Sequence, residues 1–324
     1  MKRILGLLVF AATIARAADA PPQQFASLGD FRLDSGDVIR NCRVGYRIGG
    51  KLAADKSNVI VVLTWFAGRS ADEFGWIGEG SLFDTTKYCV IVIDALGDGV
   101  SSSPSNSTEQ PGPKFPRFTM RDMVRTQHEV LTGELKLDHV YAVAGLSMGG
   151  MQVFQWIASY PEFMDKAISI VGTPKQTSND ILLWRTELDL LETMHGSREA
   201  MPTVVAIQEL NLHTPEWIAK NVTDVDKTLE AHRKSLADRD PFDYMSQLRA
   251  MIGHDIDPDF RPPLKPKMLV VVSLQDLMVN PRPAREFARV NKTALVTLTG
   301  DCGHLASGCE RDVLVREVQR FLVW

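Results

Sequence analysis

The stretch Val140–Tyr160, VYAVAGLSMGGMQVFQWIASY, decides the fold of this chain. It opens with the apolar run Val140–Ala144, which predicts a short buried strand. The segment after Gly149 has the composition of a helix, and Pro161 ends it. Between them lies a Gly-x-Ser-x-Gly turn, and a strand, a sharp turn and a helix are the setting of a nucleophile elbow. The stretch therefore predicts that Ser147 is a nucleophile at the carboxyl edge of a sheet.

Unbroken runs of β-branched residues on both sides of this stretch indicate a parallel sheet. Strands without polar interruptions are typical of a sheet covered by helices on both faces. Residues 29–48 instead alternate apolar with polar around Ser35–Asp37, which predicts an antiparallel hairpin. A helix is predicted over residues 119–135, with Thr119 and Asp122 as a capping box. The alternation of strands and helices predicts an α/β fold with a mostly parallel, doubly wound sheet. The apolar runs are residues 58–64, 88–94, 140–144, 166–171, 267–273 and 294–298.

A long segment without strand signals interrupts this alternation. It is rich in helical sequence that carries Met and Trp, and about ninety residues are too many for a simple connection. We therefore predict a helical cap inserted into the sheet domain. The predicted organisation is a signal peptide at 1–17, a flexible N-terminus at 18–28, a first core segment at 29–173, the cap at 174–265 and a second core segment at 266–324.

The first seventeen residues have the pattern of an export signal. Met1–Arg3 is basic, Ile4–Ile14 is apolar, and Ala15–Ala17 is a small-x-small cleavage site. The alternative is an uncleaved membrane anchor, but the apolar run is much shorter than the roughly 20 residues that a spanning helix needs. We therefore expect a periplasmic or secreted protein.

Charge and motifs limit the classes of partner. Removing the signal changes the formal net charge from −4 to −7, and no stripe of Lys and Arg with interleaved aromatics is present, so nucleic acid is not an expected partner. The sequence holds no phosphate-binding loop, HExxH or CxxC, and we expect neither a metal nor a cofactor. The expected partner is a small-molecule acyl substrate, without stable membrane insertion. The sequence leaves a monomer or a homodimer open.

Four cysteines would enter an oxidising compartment if the chain is exported. Cys302 and Cys309 bracket His304, where they would form either a disulfide or two small buried residues. Pairing of Cys42 with Cys89 is equally undecided by the sequence.

A serine hydroxyl needs a general base, and His304 is the best placed of seven histidines. It follows the last predicted strand, where the chain order serine, acid, histidine places the base. Asp276 lies just after the preceding strand and is the predicted acid. Asp301 is the competing acid, although its position three residues before His304 suits a turn better.

An oxyanion on the acyl intermediate needs two backbone donors. One is the N–H of Met148, directly after the nucleophile. The second is expected from the loop Trp65–Gly68, with Phe66 as the predicted donor. The aromatic residues of this loop are alternatively only a wall of the pocket.

Three segments resemble the homoserine O-acetyltransferase branch of the α/β-hydrolases. They are Gly145–Gln152 (GLSMGGMQ) with Trp156 and Tyr160-Pro161 after it, Thr119–Gln127 (TMRDMVRTQ), and Asp243–Met251 in the late cap. The resemblance runs from about residue 30 to the end of the chain. It implies the α/β-hydrolase fold and a catalytic triad of Ser147, Asp276 and His304.

Two departures from that family concern the acceptor substrate. Leu305 occupies the place of the family's aspartate that binds the amine of homoserine, and Leu183 occupies that of an arginine for its carboxylate. A site without these charges cannot offset the desolvation of a zwitterion. Acyl-CoA is also a cytosolic metabolite. We therefore predict an exported, esterase-like serine hydrolase that cleaves a small acyl ester or a related acyl compound. The alternatives are an O-acyltransferase and a non-catalytic binding protein on a hydrolase scaffold.

Overall fold

The computed structural model describes residues 20–235 and 238–323. The strands are β1 (Gln24–Arg32), β2 (Val38–Gly49), β3 (Val59–Leu63), β4 (Cys89–Ile93), β5 (Val140–Leu146), β6 (Met164–Ile170), β7 (Lys267–Ser273) and β8 (Ala294–Leu298). They form one eight-stranded sheet in the order β1-β2-β4-β3-β5-β6-β7-β8. Strands β3 to β8 are parallel to one another, and β2 joins β4 antiparallel. The predicted mostly parallel, doubly wound sheet is confirmed.

The α-helices lie between and after these strands. In the described part of the chain they are α1 (Ser70–Glu73), α2 (Met120–Glu129), α3 (Met148–Ser159), α4 (Ser178–Thr193), α5 (Met201–Leu212), α6 (Pro215–Asn221), α7 (Val225–Ser235), α8 (Pro241–Ile252), α9 (Pro281–Asn291), α10 (Ala306–Cys309) and α11 (Arg311–Leu322). The predicted capping box is present at α2, because the Thr119 hydroxyl accepts from the Asp122 N–H and the Asp122 carboxylate accepts from the Thr119 N–H. Across residues 20–235 and 238–323, none of the helices has the length and apolar character to cross a membrane.

The central strands are buried on both faces. Every residue of β3 is buried, and so is every residue of β4. Because side chains alternate along a strand, Val59, Val61 and Leu63 pack with α2 and α3 on one face. Ile60 and Val62 pack with the side of the sheet that α11 covers. Burial on two faces is the reason that these strands carry no polar residue.

The first strand begins earlier than the sequence indicates. The sequence predicts a flexible range at 18–28, but β1 starts at Gln24 and its first four residues pair with β2. Ala26 is buried against the core, and the Gln23 amide donates to the Asp94 carboxylate at 2.8 Å. Pairing with β2, which continues the predicted hairpin toward the N-terminus beyond residue 29, gives this segment its strand conformation. The predicted export signal at 1–17 lies outside the described residues.

Helices α4 to α8 lie between β6 and β7 in the chain. Helix α4 packs along α8, and α5 contacts both α4 and α7. Apolar residues of these helices share one cluster with the first turns of α3; among them are Trp184, Val204, Leu248, Met148 and Met151. The cap helices therefore close over the end of the sheet at which the nucleophile turn lies.

Candidate active site

Ser147 occupies a strained turn between β5 and α3. Its φ is 54° and its ψ is −117°, a conformation that costs a non-glycine residue about 1–3 kcal/mol. Two backbone hydrogen bonds hold it there: the Ser147 N–H donates to Ile170 O at 2.8 Å, and the Met151 N–H donates to Ser147 O at 3.0 Å. The side chain is partly exposed. The strain presents the hydroxyl at the carboxyl edge of the sheet.

Glycines on both sides of the serine are required by close backbone contacts. A Cβ on Gly149 would lie 2.2 Å from the carbonyl oxygen of Leu63. A Cβ on Gly145 would lie 2.4 Å from the carbonyl carbon of Gly149. Backbone atoms cannot move aside as a flexible side chain can. The Gly-x-Ser-x-Gly pattern is therefore a steric requirement of packing α3 against β3 and β5.

The structure brings Ser147, His304 and Asp276 together in one hydrogen-bonded chain. His304 Nε2 lies 2.9 Å from Ser147 Oγ, and His304 Nδ1 lies 2.7 Å from Asp276 Oδ2. The other carboxylate oxygen of Asp276 accepts from the N–H groups of Met278 and Val279, each at 2.9 Å. Asp276 and His304 are buried. The carboxylate is thereby fixed in orientation, and it holds the imidazole toward the serine.

Asp301, the alternative acid, does not pair with His304 through its carboxylate. Asp301 is in the loop before His304, and its backbone carbonyl accepts from the Thr214 hydroxyl at 2.5 Å. Among the described residues, its carboxylate makes no hydrogen bond to His304. The arrangement pairs the histidine with Asp276.

Hydrogen bonds and a disulfide stabilise the loop that carries His304. Gly303 has a φ of 62°, and its carbonyl accepts from the Ser273 hydroxyl at 2.7 Å. Cys302 and Cys309 form a disulfide, which resolves that alternative. In the cap, His213 Nδ1 lies 3.2 Å from the Cys302 carbonyl oxygen. The loop of His304 is thus held by the sheet, by a covalent bridge and by the cap.

The other two cysteines do not pair. Cys42 and Cys89 are free and buried. Burial raises the pKa of the Cys42 thiol to about 12, so it stays protonated at neutral pH.

Two backbone donors lie beside the nucleophile turn. Strand β3 neighbours β5 with Leu63 opposite Gly145, so the loop after β3 runs alongside the serine. Within the described residues, no protein group accepts from the N–H of Phe66 or of Met148. The N–H groups next to Phe66 are both occupied: that of Trp65 donates to Glu73 Oε1 at 3.2 Å and that of Ala67 to Gln247 Oε1 at 2.8 Å. The loop therefore offers Phe66 N–H as its free donor.

The surroundings of the site are apolar. The centroid of the Phe66 ring lies 4.4 Å from that of the Tyr244 ring and 6.1 Å from that of the Trp184 ring. Leu183 packs on the same cluster, and Leu305, next to the base, is 39% exposed. Neither leucine can pair with the charges of an amino acid.

One carboxyl group lies buried among these cap residues. Glu187 is fully buried and accepts from the Tyr244 hydroxyl at 3.2 Å and from the Gln208 amide at 3.3 Å. Burial raises its pKa to about 8. Glu187 is therefore mostly neutral near pH 7 and adds no full charge to the apolar cluster.

Sequence reasoning missed the side chains that support the site. Gln247 and Glu73 hold the loop after β3, and Gln152 donates to the Thr64 carbonyl at 3.0 Å. Desolvation holds the pKa of Glu73 well above its usual range, which favours its neutral form. Polar residues on amphipathic helices are ordinarily solvated, and only the tertiary contacts distinguish these three.

His254 of the cap lies apart from the Ser147–His304–Asp276 chain of hydrogen bonds. His254 in the cap is buried, its Nε2 lies 2.9 Å from the Thr173 carbonyl oxygen, and desolvation lowers its pKa to about 4. In the part of the chain that the structure describes, no cluster of three or more His, Cys, Asp or Glu side chains could hold a metal ion.

Comparison with known proteins places the chain among enzymes of one fold. The family model described as alpha/beta hydrolase fold matches residues 58–308. An ethyl acetate hydrolase of Pseudomonas veronii is 36% identical over 174 residues, which are 53% of this chain and 50% of that protein. A homoserine O-acetyltransferase of Methanohalophilus mahii is 42% identical over 161 residues, 44% of this chain and 33% of that protein. The chain thus spans half or less of the length of these relatives, and its resemblance to the acetyltransferase branch is confirmed.

Solved structures support the same architecture. The acetyl esterase MekB superimposes with a TM-score of 0.86 at 23% identity, covering 95% of this chain and 97% of that one. At this level of identity, the likeness establishes the fold alone.

Proposed function

Because the chain belongs to the alpha/beta hydrolase fold family, we propose that it is an esterase-like serine hydrolase with Ser147, His304 and Asp276 as its catalytic triad. The observation that carries the proposal is the continuous hydrogen-bonded chain from Ser147 Oγ through His304 to Asp276. A serine so paired can attack a carbonyl carbon, since the histidine removes its proton as the bond forms.

The first half of the proposed reaction forms an acyl-enzyme. Ser147 Oγ attacks the ester carbonyl carbon while its proton moves to His304 Nε2. The carbonyl oxygen becomes an oxyanion, which the N–H groups of Phe66 and Met148 stabilise. Collapse of this intermediate breaks the ester C–O bond, and the alcohol leaves with the proton from His304. Asp276 stabilises the imidazolium between these two proton transfers.

The second half releases the acid. A water molecule gives its proton to His304 Nε2 as its oxygen attacks the acyl carbon, and the same two donors stabilise the new oxyanion. The bond to Ser147 then breaks, and the proton returns from His304 to the serine oxygen. One ester and one water thus give one alcohol and one carboxylic acid.

The substrate that we propose is small and uncharged. The support is the apolar lining of the site together with Leu183 and Leu305 at the two places where a homoserine acceptor would need charges. The ethyl acetate hydrolase relative is named for such an ester.

Ser147→Ala tests this function. The variant should lose reaction with a fluorophosphonate probe and release no nitrophenol from p-nitrophenyl acetate above the uncatalysed rate. Ser159→Ala, at the other end of the same helix, is the matched control and should retain both. Full labelling or turnover in Ser147→Ala would refute the assignment.

Acyl transfer to an alcohol is the second candidate, which the acetyltransferase relatives favour. It uses the same acyl-enzyme but replaces water with an acceptor hydroxyl. Incubation with acetyl-CoA and homoserine separates the two functions. Formation of O-acetylhomoserine faster than acetate would replace hydrolysis as the proposal.

We also propose that the protein is exported to the periplasm or secreted after cleavage following Ala17. The signal-like pattern of residues 1–17 supports this, and so does the Cys302–Cys309 disulfide, which persists in oxidising compartments. N-terminal sequencing of the protein recovered outside the cytoplasm should begin at Ala18, and recovery of the intact chain only from the cytoplasm would contradict export.

A further inference from the structure

A buried glutamine of the cap contacts two loops of the core. Gln247 lies on α8 and is fully buried. Its side-chain oxygen accepts from the Ala67 N–H at 2.8 Å, and its side-chain nitrogen donates to the Leu96 carbonyl at 3.1 Å. One amide thus connects the cap to the loops that follow both β3 and β4.

The loop that Gln247 holds contains a residue in a conformation that is rare for its type. The Gly68 N–H donates to the Trp65 carbonyl at 3.0 Å, which closes a four-residue turn. Its third residue, Ala67, has a φ of 55°. Such turns favour glycine at this position, because a Cβ is unfavourable at positive φ. The hydrogen bond to Gln247 therefore supports an unfavourable backbone conformation at Ala67.

Phe66 lies between two anchored residues. The core supplies one anchor, because the Trp65 N–H donates to Glu73 of α1. The cap supplies the other through Gln247 and Ala67. The free N–H of Phe66 is therefore directed by its neighbours, and one of them depends on α8.

We propose that Gln247 is a positioning residue for the oxyanion donor at Phe66, so that the cap takes part in transition-state stabilisation. This inference rests on the hydrolase function proposed above. It assigns Gln247 no contact with the substrate. Its effect is transmitted through the Ala67 N–H.

Substitution of Gln247 gives a specific kinetic pattern. Gln247→Leu removes both hydrogen bonds and keeps a side chain of similar size. Gln247→Asn stays polar, but its side chain is too short to reach both partners. Both should lower kcat for p-nitrophenyl acetate by about 10- to 100-fold, since loss of a whole oxyanion donor costs about 10²–10³. KM should stay within about twofold, because the donor acts mainly on the transition state. Gln247→Glu keeps the reach and the acceptor for the Ala67 N–H, and its buried carboxyl can donate to the Leu96 carbonyl when it is protonated, so it should recover most of kcat.

Two inhibitors distinguish positioning from general damage. A phenyl trifluoromethyl ketone forms a tetrahedral adduct whose oxyanion occupies the donor site, so its Ki should rise in proportion to the fall in kcat. The corresponding methyl ketone binds without forming the adduct, and its Ki should not change. Gln155→Leu is the matched control: Gln155 is a buried glutamine that donates to Ser159 and Asp259, away from this loop.

The outcomes separate the two proposals. If Gln247→Leu and Gln247→Asn keep kcat within twofold, or if both inhibitors weaken equally, the positioning role is refuted and the hydrolase function stands. Should Gln247→Leu not fold, as judged by its thermal melting, Gln247→Asn alone decides by the same criteria. If the native enzyme shows no Ser147-dependent turnover, the proposed function fails and this inference fails with it.

Discussion

Replacing Asp276 with asparagine should disable the base without reshaping the site. In the native site, one carboxylate oxygen accepts from the N–H groups of Met278 and Val279 and the other faces His304 Nδ1. Asparagine has a single accepting oxygen. Turning its NH2 toward two buried backbone donors would cost about 1–3 kcal/mol for each donor left unpaired. The NH2 therefore faces Nδ1, which forces the histidine proton onto Nε2, where it blocks transfer from Ser147.

The expected loss in kcat for Asp276→Asn is about 10⁴-fold, the size found when a serine triad is held in the wrong tautomer. That factor corresponds to about 5 kcal/mol of transition-state stabilisation. Release of nitrophenol from p-nitrophenyl acetate measures it, and thermal melting checks that the fold is retained. Asp301→Asn is the control and should stay within about twofold of the native enzyme. A loss below tenfold in Asp276→Asn, or an equal loss in Asp301→Asn, would refute this account of the acid.

Three further changes test other features of the site. Leu305→Asp should lower the KM for homoserine as acyl acceptor, because a carboxylate beside His304 can pair with its amine; an unchanged ratio of O-acetylhomoserine to acetate would contradict this. Glu187→Gln should stabilise the protein increasingly as pH rises from about 4.5 to about 8. The folded state retains the Glu187 proton up to a pKa of about 8 whereas the unfolded state loses it near 4.5, so native stability falls across that window. Urea unfolding at pH 5 and pH 8 measures the difference, and a gain independent of pH would refute it. Gly149→Ala should prevent formation of the nucleophile turn, since its Cβ would lie 2.2 Å from the Leu63 oxygen; a variant with native melting temperature and kcat would contradict the steric argument.

The sheet was largely predictable from the sequence because its strands are buried on both faces. The predicted runs at 58–64 and 88–94 contain β3 and β4 with one residue to spare at each end. The end of α2 was not predictable. The periodic pattern extends to Leu135, but α2 ends at Glu129 and Val130–Glu134 continues as a π-helix. The apolar spacing does not distinguish these two helical forms.

For the site as well, local sequence patterns predicted some residues, whereas contacts between distant parts of the chain were not predictable. Ser147, Asp276 and His304 each follow a strand, so motif and chain order indicated them before any contact was visible. The Cys302–Cys309 bridge was not predictable, because spacing in the sequence does not show that the two Cα atoms lie 6.4 Å apart, within the range that a disulfide allows. Gln247 lies 180 positions from Ala67 along the chain, and no sequence pattern joins them.

Cap residues form hydrogen bonds with two loops of the core. Gln247 accepts from Ala67 in the loop of the proposed oxyanion donor Phe66, and His213 contacts the backbone of the loop that carries His304. With these loops supplying the proposed oxyanion donor and base, we expect the cap to contribute to the chemistry as well as to the selection of substrates. A chimera that carries a relative's cap on this core should lose turnover number as well as selectivity. It should regain turnover only when the grafted helices bring equivalent partners for both loops.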